Sequence, residues 1–177
     1  MKADSCLTTS LLEGAISGLI ATAPMTGVMV ACKQILPPQD QYPLPPQEIV
    51  EDVAQVAQVR EVLETDLKQP TVWTAHYGYG SLMGLLYGAV THGDRTRSIP
   101  RGMAYGMAVW AANYLAALPA ANSKASAPQE SLARNAMMIV SHLAWGAALD
   151  YCYSYSSTQQ QHQTAARQPG KNETALV

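Results

Sequence analysis

The stretch GAISGLIATAPMTGVMVAC, Gly14–Cys32, runs for nineteen residues without a charge. As a helix it would measure about 28 Å at 1.5 Å per residue, close to the roughly 30 Å hydrocarbon core of a bilayer. Three more windows share this character. The chain's eleven basic and thirteen acidic residues leave 14–32, 69–93, 102–123 and 135–149 uncharged. The near-neutral mean hydropathy of −0.03 averages over this bunching and hides it. Membrane spans are therefore expected at about 11–34, 71–91, 101–119 and 132–153. The fourth has only fifteen uncharged residues, so it requires Arg134 and Asp150 to reach toward the two headgroup layers. Tyr151, Tyr153 and Tyr155 follow it as an interfacial belt.

Two other readings compete. A cleavable leader is disfavoured because Asp4 and Glu13 offset Lys2, the apolar window is long, and the small-x-small site Ala21-Thr22-Ala23 runs into Pro24. Four core helices of a soluble bundle would each show a polar face, which these windows lack. A net charge of −2 gives no footprint for nucleic acid. Cys6, Cys32 and Cys152 are odd in number and widely spaced, which excludes a disulfide scaffold.

Between the windows, Leu36-Pro37-Pro38 and Tyr42-Pro43-Leu44-Pro45-Pro46 predict an extended exit from the first span. Residues 47–68 predict an extramembrane amphipathic helix, with Ile49, Val53, Val56, Leu63 and Leu67 on one stripe. Glu48, Glu51, Asp52, Glu61 and Glu64 lie opposite, and Arg60 interrupts the stripe. An acidic face is wrong for anionic lipid, so the helix is expected on the protein's own mouth, on a partner, or as a solvated loop helix. Arg95, Arg97 and Arg101 make 91–101 the basic link. By the positive-inside rule this places it, and both termini, in the cytoplasm. The polar segment 156–177 is expected to be a disordered tail, and 1–155 the transmembrane domain.

A two-helix unit recurs along the chain. Gly14-x-x-x-Gly18 is matched by Gly102-x-x-x-Gly106, Leu36-Pro37 by Leu118-Pro119, and Pro46-Gln47-Glu48 by Pro128-Gln129-Glu130. His76-x-x-x-Gly80 is matched by His142-x-x-x-Gly146. Two crossings per unit give both units the same orientation, as in parallel-repeat membrane proteins. The expected fold is all-α: a four-helix membrane bundle of two parallel hairpins, with an extra helix in the first loop.

The fourfold spacing puts His76, Gly80, Gly84 and Gly88 on one helix face, and His142, Gly146 and Asp150 on another. Gly14, Gly18, Gly102 and Gly106 complete the expected helix-packing set, because small residues let backbones approach. His76 and His142 then face other helices, either as hydrogen-bonded packing groups or as a ligand or proton site. Their depths from the same side are expected to be similar. Asn113 is a lone polar residue inside the third span and joins the candidate site. Pro24 is a candidate hinge, with Thr22 and Thr26 near enough to satisfy freed backbone groups. The sequence contains no nucleophile elbow, phosphate loop, Cys-x-x-Cys or His-x-x-x-His, so neither an enzyme nor a metal or cofactor is expected.

The motifs Gly14-Ala15-x-x-Gly18-Leu19-x-Ala21-Thr22-x-Pro24-Met25, Leu44-Pro45-Pro46, His76-x-Gly78-x-Gly80 and Ser141-His142-Leu143-x-Trp145-Gly146 resemble the YagU-like small bacterial inner-membrane proteins. The resemblance covers about 13–150. It implies a multi-span inner-membrane protein and no established activity. The leading expectation is a non-enzymatic structural or accessory protein, self-associating through its glycine stripes or joined to another membrane protein. A small transporter using His76, His142, Asn113 and Pro24 is the rival. A bis-histidine haem or metal subunit is the third reading.

Overall fold

The computed structural model describes residues 2–56, 68–91, 94, 96–121, 123 and 125–166, with side chains described from 7 to 156 within those ranges. The described residues are helical and contain no strand. Helix α1 covers Lys2–Ile35 and α2 Pro45–Val56, with one 3-10 turn, Pro38–Asp40, between them. Helix α3 covers Lys68–Val90 and α4 Ile99–Ala111. The latter continues through a π-helical turn, Ala112–Ala117, into a last short turn, Leu118–Ala120. Helix α5 covers Leu132–Ala166.

Close packing joins α1 to α3, α1 to α5 and α4 to α5, while α2 leans on α3. Glycine makes the two hairpins tight. A methyl group on Gly14 would strike the carbonyl of Gly84, and one on Gly18 the carbonyl of Gly80. Likewise Gly102 faces the carbonyl of Gly146, and Gly106 that of His142. These contacts run antiparallel in both hairpins and show a shift of one helical turn. With Gly14 and Gly18 laid on Gly102 and Gly106, the residue in the place of His142 is Gly80, not His76. His76 therefore lies one turn, about 5.4 Å, from the level that the sequence match gives it.

All eight glycines of the expected packing set face another helix of the same chain. The stripes are thus used within the molecule. α3 and α4 are bridged by Tyr105 Oη donating to Met83 O at 2.7 Å and Tyr79 Oη to Asn113 Oδ1 at 2.9 Å.

Several expectations are corrected. Arg134 and Asp150 do not reach outward: both are fully buried and paired inside the protein. A charge near the end of an apolar helix is better satisfied by an internal partner than by a long reach to solvent. In α2 the inward residues are Ile49, Val50 and Ala54, and Val53 points out with 62% of its surface exposed. Pairing of Glu48, Asp52 and Glu51 fixes the helix rotation, overriding the apolar stripe. Leu63 and Leu67 lie outside the described residues. The expected tail is helical as far as Ala166, since Gln and Ala extend an already nucleated helix at little cost. Residues 167–177 lie outside the described residues. Among the described residues, one helix, over Leu7–Ile35, is long and apolar enough to cross a membrane. The Gly, Tyr and Ser content of the other three expected spans dilutes their hydropathy.

Candidate functional site

Three sequence-derived candidates, His76, His142 and Asn113, line one cavity of about 250 Å³. It lies between α3 and α4, is backed by Thr22 and Met25 of α1 and by Trp145 of α5, and is roofed by Pro46, Ile49 and Val50 of α2. A second cavity of about 130 Å³ carries Lys33, Gln47 and Gln69, and shares His76 and Pro46 with the first. His76 therefore lines both cavities.

The hydrogen bonds fix both imidazoles. Thr26 Oγ1 donates its one hydrogen to Thr22 O at 2.8 Å, so at 3.2 Å it accepts from His76 Nε2–H. His142 Nδ1 lies 2.8 Å from Met138 O, a group that only accepts, so the proton is on Nδ1. In the neutral ring Nε2 is then left as an acceptor. The Tyr114 ring meets His142 edge-on, with centroids 5.8 Å apart. The two residues are 5% and 6% exposed, and neither the Tyr114 hydroxyl nor His142 Nε2 bonds to a described residue.

The π-helical turn supplies Asn113 and Tyr114. Pro119 has no N–H to give to the preceding turn. The carbonyl of Tyr114 turns instead to Ala127 N–H, at 3.0 Å, in the following loop. Such turns recur at functional sites because they re-aim side chains. Asn113 itself is satisfied, with Nδ2 donating to Val109 O at 2.7 Å. Pro24 is exposed and outside the cavity lining, within an unbroken α1, so it provides no break facing the chamber. Thr22 Oγ1 donates to Gly18 O at 2.8 Å, and Thr26 to Thr22 O. Neither bonds to the Ile20 carbonyl, to which Pro24 has no N–H to give. Sequence reading missed Tyr114, Tyr79 and the methionines Met25, Met83 and Met138 on the same wall. The Asn-Tyr pair a few residues ahead of Pro119 was the available signal.

A buried ion cluster holds the roof. Arg134 lies 3.0 Å from Glu48 and 2.8 Å from Glu130, and donates to the carbonyls of Asp40 and Pro43 at 3.2 and 3.0 Å. The Tyr42 ring covers its guanidinium at 3.6 Å, and the Tyr42 hydroxyl donates to Glu130. Burial and that bond push the Tyr42 phenol up to about 12. One cation thus faces two carboxylates. Burial, reinforced by the negative charges of Glu130, Asp52 and Glu51, pushes Glu48 up to about 7 against the opposing pull of Arg134. Ser123 Oγ donates to Asp52 at 2.6 Å, and Lys68 pairs with Glu51 at 2.7 Å. At the far end of the bundle Asp150 accepts from Tyr87 Oη at 2.5 Å, Ser98 N at 2.8 Å and Arg101 Nη2 at 3.0 Å.

Among the described residues no group of three metal-ligating side chains occurs. Residues 8–164 match the family model of DUF6789, a family of unknown function, and the chain belongs to that family. No curated protein and no solved structure matches it.

Proposed function

We propose that this chain is a four-span integral membrane protein of two parallel hairpins, non-enzymatic and accessory in role. The supporting observation is its polarity. Thr22, Arg134, Ser141, His142 and Asp150 are buried and paired, whereas Leu12, Ile16, Ile20, Leu82, Leu115 and Val140 are about half exposed or more. Water-soluble proteins avoid apolar patches beyond a few hundred Å². In lipid the same distribution is favourable, because buried polar groups find partners and the outer face meets hydrocarbon. The resemblance to YagU-like proteins fits a bacterial inner membrane. Alkaline carbonate extraction of cell membranes tests the reading: the protein should stay in the pellet, and release to the supernatant would overturn it.

The chamber favours a second reading, binding or permeation of a small molecule. Two cavities that share His76 and Pro46 under α2 support this reading. The haem or metal reading has no support beyond the two histidines lining one cavity, with His142 Nε2 left open by the bond from Nδ1 to Met138 O. A second copy or another membrane protein would have to dock on surfaces other than the glycine stripes. Solute entry into proteoliposomes distinguishes permeation from a purely structural role.

A further inference from the structure

We infer that the inner chamber is a binding site for a small, neutral, single-ring aromatic molecule bearing one hydroxyl group, a phenol in its simplest form. The inference rests on the binding reading of the chamber and names its ligand class. Two polar groups on residues that line the chamber, with ring centroids 5.8 Å apart, have no partner among the described residues: His142 Nε2, an acceptor by the tautomer that Met138 O imposes, and the Tyr114 hydroxyl, which both donates and accepts. A hydroxyl group answers both at once, donating to the imidazole and accepting from the phenol. A carbonyl could serve only Tyr114, and an ammonium only the acceptors. The rest of the ligand would meet Met25, Met83, Met138 and Trp145. Thioethers contact aromatic ring edges favourably, and an indole face suits a planar ring. The size agrees. A dry cavity of about 150 Å³ takes benzene, so about 250 Å³ holds one substituted ring and is small for a drug-sized or polycyclic ligand.

The test titrates the full-length protein in phosphatidylcholine nanodiscs with para-fluorophenol and, separately, with fluorobenzene. Fluorine NMR follows binding, and empty nanodiscs correct for partition into lipid. Saturable binding of the phenol, at least about fivefold tighter than fluorobenzene, is expected from the hydrogen bonds gained. Tyr114→Phe should reduce that preference while thermal unfolding shows the bundle intact. If this variant does not fold, the wild-type comparison of the two probes still decides. Linear, lipid-like partition of both probes, or equal affinity for them, would overturn the proposal. A protein that pellets with membranes after carbonate yet binds neither probe would lose only this inference. Release by carbonate would instead remove the membrane reading.

Discussion

Glu48 Oε2 sits 3.0 Å from Arg134 Nη2 and ties the helix that roofs the chamber to the first turn of α5, eighty-six residues away in the chain. The tie is electrostatically unbalanced, since Glu130 claims the same guanidinium at 2.8 Å and is itself almost fully buried. One buried cation cannot neutralise two carboxylates. Burial and the neighbouring carboxylates raise Glu48 to about 7.

The first prediction is a pH-dependent roof. Glu48 stands at about 7 in the closed form against an ordinary 4.5, so the closed form binds the extra proton between those values. Its stabilising contribution is full below about 4.5 and is lost as pH rises through about 7. Protection of the α2 amides, taken relative to their intrinsic base-catalysed exchange rate, should therefore be lower at pH 8.5 than at pH 5.5. Glu48→Gln should flatten the difference. The same pH dependence in that variant would reject Glu48 as its source.

Arg134 carries the second prediction. Arg134→Met strands Glu130 and Glu48 beside each other without a cation, and removing one side of a buried pair costs about 3–5 kcal/mol. Thermal unfolding in mild detergent should fall accordingly. Replacing both carboxylates by Gln in the same protein should recover part of the loss. No recovery would show that the cost is packing against Tyr42 rather than charge.

Much of this was legible in the sequence for identifiable reasons. The charge-free windows gave the positions of α1, α3, α4 and α5, because an apolar run of that length has few alternatives to helix. The Gly-x-x-x-Gly spacings identified which faces meet, since they report directly on backbone approach. The register between His76 and His142 was not legible: both histidines precede a glycine by four residues, but α3 offers three packing glycines in that series, and Gly84, not Gly80, takes the place of Gly146. The pairing of Arg134 with Glu48 was equally hidden, because nothing local relates residues so far apart in the chain. The rotation of α2 followed from that pair and not from its own apolar period.

The third prediction concerns topology. If the Arg97 and Arg101 link faces the cytoplasm, a single Cys at Gln47, in a protein otherwise free of cysteine, should react with an impermeant maleimide from the opposite side. A Cys at Arg97 should react only after the membrane is opened. Lys68 and Arg134, on the α2 side, are spent on Glu51, Glu48 and Glu130, while Arg101 is spent on Asp94 and Asp150. The positive-inside count therefore rests on a small margin, and the reverse labelling pattern would invert the orientation without altering the bundle.

The last prediction contrasts two glycines. An added methyl at Gly84 would meet the carbonyl of Gly14 and the Cα of Gly18, both backbone atoms that cannot swing aside. α1 and α3 would have to separate, and forced overpacking of this kind costs about 1–3 kcal/mol. At Gly27 an added methyl meets nothing within 4 Å. There Ala only reduces the freedom of the unfolded chain and improves helix propensity, for a gain of about 0.5–1 kcal/mol. Gly84→Ala should thus lower the unfolding temperature in mild detergent, and Gly27→Ala should leave it unchanged or raise it. Glycine content alone would make the two substitutions alike. Equal shifts would mean that α1 and α3 do not meet through Gly14, Gly18 and Gly84, and the hairpin that frames the chamber would have to be rebuilt on another face.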